Sequence, residues 1–177
     1  MSRQAWQEAL AWAVTDGTAI ASTTTEAIIF PNVNIPANYM QDGRILRGKA
    51  SGKLSTTGTP TITFALRWGG VSGTVLAQSE PITNGSGVTN VVWLVDFMVQ
   101  TRANGSSGSL YVWGRCDVHT AAATIVSSAF GVSGYDAPAA VTIDLTAAAD
   151  LSLTADWSAN SASNTLTGMS YVLESLN

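Results

Sequence analysis

The chain runs to 177 residues, 46% of them hydrophobic, which is enough for one domain with its own core and too apolar for a disordered segment. Only 11% are charged, and 8 Lys and Arg against 12 Asp and Glu leave a net charge of −4, which argues against a binder of duplex nucleic acid. One cysteine, Cys116, and one histidine, His119, exclude an intrachain disulfide and a site of several clustered Cys and His.

At the N-terminus, Trp6, Leu10 and Val14 lie four apart and would share one helix face, while 11–14 would serve equally as a first strand. The preferred reading is an N-terminal arm over 1–14 that packs on a neighbour or on its own body. A single β domain then occupies 15–177. The start lacks the basic region and apolar stretch of a secretory signal, and no apolar run reaches the ~18 residues of a membrane span. Strands are expected over 27–30 and 43–54, separated by an irregular stretch that Pro31 and Pro36 bracket. Arg44, Arg47, Lys49 and Lys53 form the basic cluster of the second of these.

Over 61–68, Ile62, Phe64, Leu66 and Trp68 alternate with Thr61, Thr63, Ala65 and Arg67, the period of a half-buried strand. A strand over 73–79 and an Asn-Gly-Ser-Gly loop at 84–87 follow. A long central strand over 90–102 carries Val91, Trp93, Val95, Phe97 and Val99 on one face. Its other face, with Val92, Leu94, Asp96, Met98 and Gln100, turns polar only towards the end, so part of it is expected to be covered on both sides. Turn residues at 103–108 predict a hairpin into 109–116. There Tyr111 and Trp113 share a face with Ser109 and Arg115, opposite Leu110 and Val112. That face meets the second sheet, packs on another subunit, or offers rings to a sugar. The stretch 121–138 reads as a long loop or an irregular edge strand, and strands at 140–145, 151–157 and 165–173 close the chain. Eight or nine short strands between such turns predict an all-β, two-sheet sandwich of jelly-roll type.

The search for chemistry returns little. The aspartates at 42, 96, 117, 136, 144, 150 and 156 are scattered and form no alternating loop of a calcium-binding helix pair; Asp150 and Asp156 flank the strand at 151–157 and read as edge charges, with a loop calcium site as the alternative. No Gly-x-Ser-x-Gly turn and no phosphate-cradling Gly-Lys-Ser/Thr is present, and Cys116 reads as a buried small hydrophobe. Asp96 is either a polar-face residue or a buried carboxylate, which would need a donor such as Arg67 or Arg115. The reading is of a non-enzymatic protein with no catalytic set, no metal site and no cofactor.

Several phrases carry a likeness: Thr15-Asp-Gly-Thr-Ala-Ile-Ala-Ser-Thr-Thr-Thr-Glu-Ala-Ile-Ile-Phe-Pro31, Ile35-Pro-Ala-Asn-Tyr-Met40, Asp42-Gly-Arg-Ile-Leu46, Leu66-Arg-Trp-Gly-Gly70 and the closing Met169-Ser-Tyr-Val-Leu-Glu-Ser-Leu-Asn177. Together they resemble small virion structural proteins of tailed bacteriophages, of the head decoration or cement kind. The resemblance implies a jelly-roll subunit, often trimeric, that clamps neighbouring major capsid subunits. It implies a place on the capsid surface after assembly in the host cytoplasm, and neither nucleic acid nor membrane as partner. The candidate interface residues are Trp6, Trp12, Tyr111 and Trp113, since oligomer interfaces favour buried aromatics. The alternative is a tail fibre, spike or collar domain that binds a host-surface glycan. An exposed aromatic shelf flanked by Asp or Asn favours the glycan binder, and a broad flat apolar face favours cement.

Overall fold

The computed structural model of the protein describes residues 7–132 and 138–176. Among them the chain forms fourteen strands: β1 (Gln7–Trp12), β2 (Ile20–Ala21), β3 (Ala27–Ile28), β4 (Val33–Ile35), β5 (Ile45–Ser55), β6 (Thr61–Trp68), β7 (Thr74–Gln78), β8 (Ile82–Thr83), β9 (Val91–Ala103), β10 (Gly108–Ala121), β11 (Thr124–Phe130), β12 (Ala140–Ile143), β13 (Ala149–Trp157) and β14 (Thr165–Leu176). They build an all-β, antiparallel two-sheet sandwich. The larger sheet has the order β1-β14-β5-β9-β10-β11, with β2 beside β14 and β12 beside β10. The smaller has the order β3-β13-β6-β7, with β4 beside β13 and β8 beside β6.

The period-two segments fold as their pattern demands, because successive side chains of a strand point to opposite faces. Ile62, Phe64, Leu66 and Trp68 of β6 turn inward with Leu151, Leu153 and Trp157 of β13. Trp93, Val95, Phe97 and Val99 of β9 meet them from the larger sheet. The inner face of that sheet alternates large and small across its strands. Leu173, Gly48, Phe97, Gly114 and Phe130 are successive register partners from β14 to β11. A Cβ on Gly48 would stand 2.0 Å from the tip of the Phe97 ring, and one on Gly114 would stand 2.2 Å from the Asp96 carbonyl. The two glycines therefore make the room in which Phe97 lies flat over its neighbours.

The structure changes two expectations and decides a third. More strands form than eight or nine, because β2 and β8 span two residues each and β4 three, too short to show a period. Of the helix and the strand open to the N-terminal arm, residues 7–12 take the strand, an edge strand on β14 of the chain's own body. A register shift between Ala9 and Ala11 lets both Leu10 and Ala11 pack on the core, while Trp12 stays 64% exposed. Trp6 lies outside the described residues. Third, the second face of β9 is open along Val92, Leu94 and Asp96, since the smaller sheet covers one side of the strand alone. The stretch after Ala121 forms β11, an edge strand of the larger sheet.

Candidate interaction surfaces

Strand parity decides which side chains reach the outer face of the larger sheet. With Val95, Phe97 and Val99 inward, Val92, Leu94, Asp96, Met98 and Gln100 point out of the sandwich. On β10, burial of Leu110, Val112, Cys116 and Val118 turns Tyr111, Trp113, Arg115, Asp117 and His119 outward. The register then sets outward residues in rows: Gln100 beside Tyr111, Met98 beside Trp113, Asp96 beside Arg115, Leu94 beside Asp117. Towards β5 the same rows continue with Ile45, Arg47, Lys49 and Ser51.

Trp113 is 51% exposed, and Val92, Leu94 and Ile125 are exposed to a similar degree. Tyr111 is half-buried, with the Arg102 guanidinium 4.5 Å above its ring. The outward face of β10 therefore does not meet the second sheet, which leaves intersubunit packing and sugar stacking of the three readings.

Between the apolar residues runs a band of ion pairs. Arg47 reaches Glu174 at 2.6 Å and holds that carboxyl below its ordinary range. Lys49 Nζ lies 3.4 Å from Asp96, and Arg115 lies 3.0 Å from Asp117. Asp96 is thus no buried carboxylate: its side chain is 58% exposed, its cation is Lys49, and parity with inward Val95 and Phe97 is the reason. Arg115, its register partner, turns to Asp117, and Arg67 belongs to the other sheet. Of the three, Lys49–Asp96 is exposed on both sides and contributes little to stability, about 0–1 kcal/mol.

The outer face of the smaller sheet is built differently. Ser152 and Thr154 of β13 and Ala65 of β6 point outward and are nonetheless buried. The segment preceding and including β3 and β4 folds along β13 and supplies their partners. Arg67 Nε and Nη2 donate to the Glu26 carboxylate at 2.6 and 2.5 Å, and Nη1 donates to the Gly73 carbonyl at 2.9 Å. Thr154 Oγ1 also donates to Glu26, Ser152 Oγ donates to Asn32 Oδ1 at 2.7 Å, and Asn34 donates to Asp150 at 3.1 Å. Burial pushes the Glu26 carboxyl up, but the bonds from Arg67 and Thr154 outweigh it and hold the group below its usual range. Burial and the neighbouring Glu26 charge push Asp156 upward. Nothing in the sequence pattern singled out Glu26, because the residue precedes a two-residue strand with no period to read.

A third feature lies at the sandwich edge. Residues 10–18 and 28–34 wall a groove of about 730 Å³, with the buried Tyr171 on its floor and exposed Trp12, Val14 and Ile28 on its rims. Trp12 is Val172's register partner on the outward side of β14, so it stands at the border between groove and large-sheet face.

Cys116 is buried, and that burial, with Asp117 beside it, pushes the thiol well above its ordinary range, so it is protonated and inert. Its strand neighbour His119 faces the other way, as the three-residue spacing requires. Among the described residues no three His, Cys, Asp or Glu side chains gather closely enough to hold a metal ion. The chain matches no model of a known protein family and no curated protein.

Proposed function

We propose that this chain is a non-enzymatic virion structural protein, a decoration or cement subunit that binds and stabilises the major capsid lattice of a tailed bacteriophage. The observation that carries the reading is that the sandwich exposes apolar side chains in two places: Val92, Leu94, Trp113 and Ile125 on the outer face of β9–β11, and Trp12, Val14 and Ile28 at the groove. Exposed apolar patches on stiff strands mark interaction sites. A subunit with two of them holds a lattice with one and a neighbouring copy with the other. The reading places the protein on the capsid surface as a homotrimer, with Trp12 at the lattice contact.

A jelly-roll wrap fits the same picture. β5 pairs with β14 and β6 with β13, so the connections β5–β6 and β13–β14 carry a two-stranded ribbon over the core from one sheet to the other. The second reading, a fibre, spike or collar domain for a host glycan, draws on Trp113, whose ring stands half-exposed on a face that also carries Asp96 and Asp117.

Light scattering on the purified protein and co-sedimentation with undecorated phage heads test the proposal. Stoichiometric pelleting of a self-associated protein with heads is the expected result. A protein that ignores heads and adheres to host cells overturns the cement reading in favour of the glycan binder.

A further inference from the structure

The rows of outward side chains on the larger sheet are complementary to themselves. Asp96 and Arg115 are register partners on adjacent strands, and Met98 and Trp113 form the neighbouring outward row. A twofold axis that lies in the contact plane, parallel to the strands and between β9 and β10, lays β9 of one copy over β10 of another. Such a rotation keeps every residue in its own row and exchanges the two strands. It sets Asp96 opposite Arg115 of the second copy and Met98 opposite Trp113 of the second copy, twice each. Sheets that pack face to face stay within about 30° of alignment, so the central rows remain matched.

We infer that the outer face of β5, β9, β10 and β11 docks a second copy of this chain through that twofold, isologous contact. Its area suits the role. Four strands about 4.8 Å apart, rising about 3.3 Å per residue over some ten residues, cover roughly 630 Å², at the lower end of the share each partner buries in a standard stable interface. Charge complementarity lies in the central row: the face as a whole carries five of the chain's eight Lys and Arg, at 47, 49, 53, 102 and 115, against two acids, at 96 and 117, and that excess opposes self-association until salt screens it. The Asp96 and Arg115 side chains are themselves 58% and 69% exposed, and each is free to turn to a second copy. Trp113 is the anchor, since a large aromatic at the centre of a patch contributes most of the energy of such contacts. The inference deepens the assembly reading and rests on it for the need of a second copy. It adds the surface and the symmetry. A cyclic trimer uses head-to-tail contacts, so the twofold joins copies of two trimers or acts alone in a dimer.

The test is the mass in solution, by sedimentation velocity, of the full chain and of Trp113→Ala, Asp96→Arg and Arg115→Asp, with far-UV circular dichroism to confirm that each is folded. The unmodified protein is expected as a dimer or a hexamer, and Trp113→Ala is expected to weaken association about thirtyfold or more. Each charge reversal alone sets like charges against each other across the contact and separates the copies. An equimolar mixture of the two reversed proteins restores attraction at both positions of a mixed pair, while leaving the repulsion inside each chain untouched. Re-association in the mixture is therefore expected. A monomer or a plain trimer at high micromolar concentration, or folded variants that associate as the unmodified protein does, overturns the inference. So does a mixture that stays apart. Twofold association without head binding removes the lattice reading and leaves this inference standing, and head binding by a protein without the twofold does the reverse.

Discussion

Arg67, near the end of β6, and Arg115, in the middle of β10, both point outward, one on each sheet of the sandwich. Around Arg67 the chain folds back along β13, and the guanidinium ends at 19% exposure with a bidentate carboxylate and a backbone carbonyl as acceptors. Around Arg115 none of the described residues folds back. It is 69% exposed, with one monodentate contact to Asp117. The smaller sheet is finished by its own chain, with hydroxyls of Ser152 and Thr154 buried beneath a polar network. The larger sheet presents Val92, Leu94 and Trp113 to whatever approaches. Among the described residues one face has its partners and the other does not, which makes β9 and β10 the candidate interface.

The largest contrast is between two tryptophans on opposite sides of the larger sheet. Trp93→Ala should destabilise the fold by about 3–5 kcal/mol, since the ring is fully buried against Phe64 and donates to the Thr167 carbonyl. Trp113→Ala, measured by denaturant titration at dilutions where copies are separate, should change stability by less than about 0.5 kcal/mol. A loss near that of Trp93 would mean that Trp113 is packed and the face is not open.

The arginines come next. Arg67→Ala leaves Glu26 without its charged donor and should cost about 1.5–3 kcal/mol, against less than about 0.5 for Arg115→Ala, by thermal or denaturant unfolding. Equal losses would erase the distinction between the faces.

Acid provides a third measurement. Because the folded Glu26 carboxyl is depressed, its contribution is present above the unfolded pKa of about 4.3 and disappears as pH falls through the folded value. The melting temperature should therefore drop below pH ~4, and Glu26→Gln should lower the neutral-pH melting point while flattening that acid limb. The smallest effect concerns Asp156, whose folded pKa is raised. Its contribution is present below the unfolded value and is lost as pH rises through the folded one, so the charge is a net cost at neutral pH. Asp156→Asn should give a slight rise in melting temperature at pH 7, and a fall would show that Asp156 has a donor that offsets its burial.

Much of the fold was readable from alternation. Ile62 to Trp68, Val91 to Val99 and the hairpin from β9 into β10 emerge where the pattern puts them, because a strand with one buried face must repeat every second residue. The short strands β2, β4 and β8 show no such alternation: two or three residues do not establish a period. Gly48 and Gly114 were equally silent, since a mid-strand glycine declares its purpose only when the Phe97 ring is seen lying across it. Of the candidate surface, Tyr111 and Trp113 were legible as one face, but not whether that face was open. Asp96 was legible as an anomaly in an apolar strand, while its cation, Lys49, came from a strand some fifty residues earlier.

The sequence alone therefore determined which side chains lie together on each long strand, because side-chain parity is a property of the extended backbone itself. Which side of each strand is covered, and by what, was decided only by tertiary structure. Covering depends on how the strands are ordered into sheets and where the chain returns, and those contacts join residues such as Glu26 and Thr154, which stand 128 positions apart.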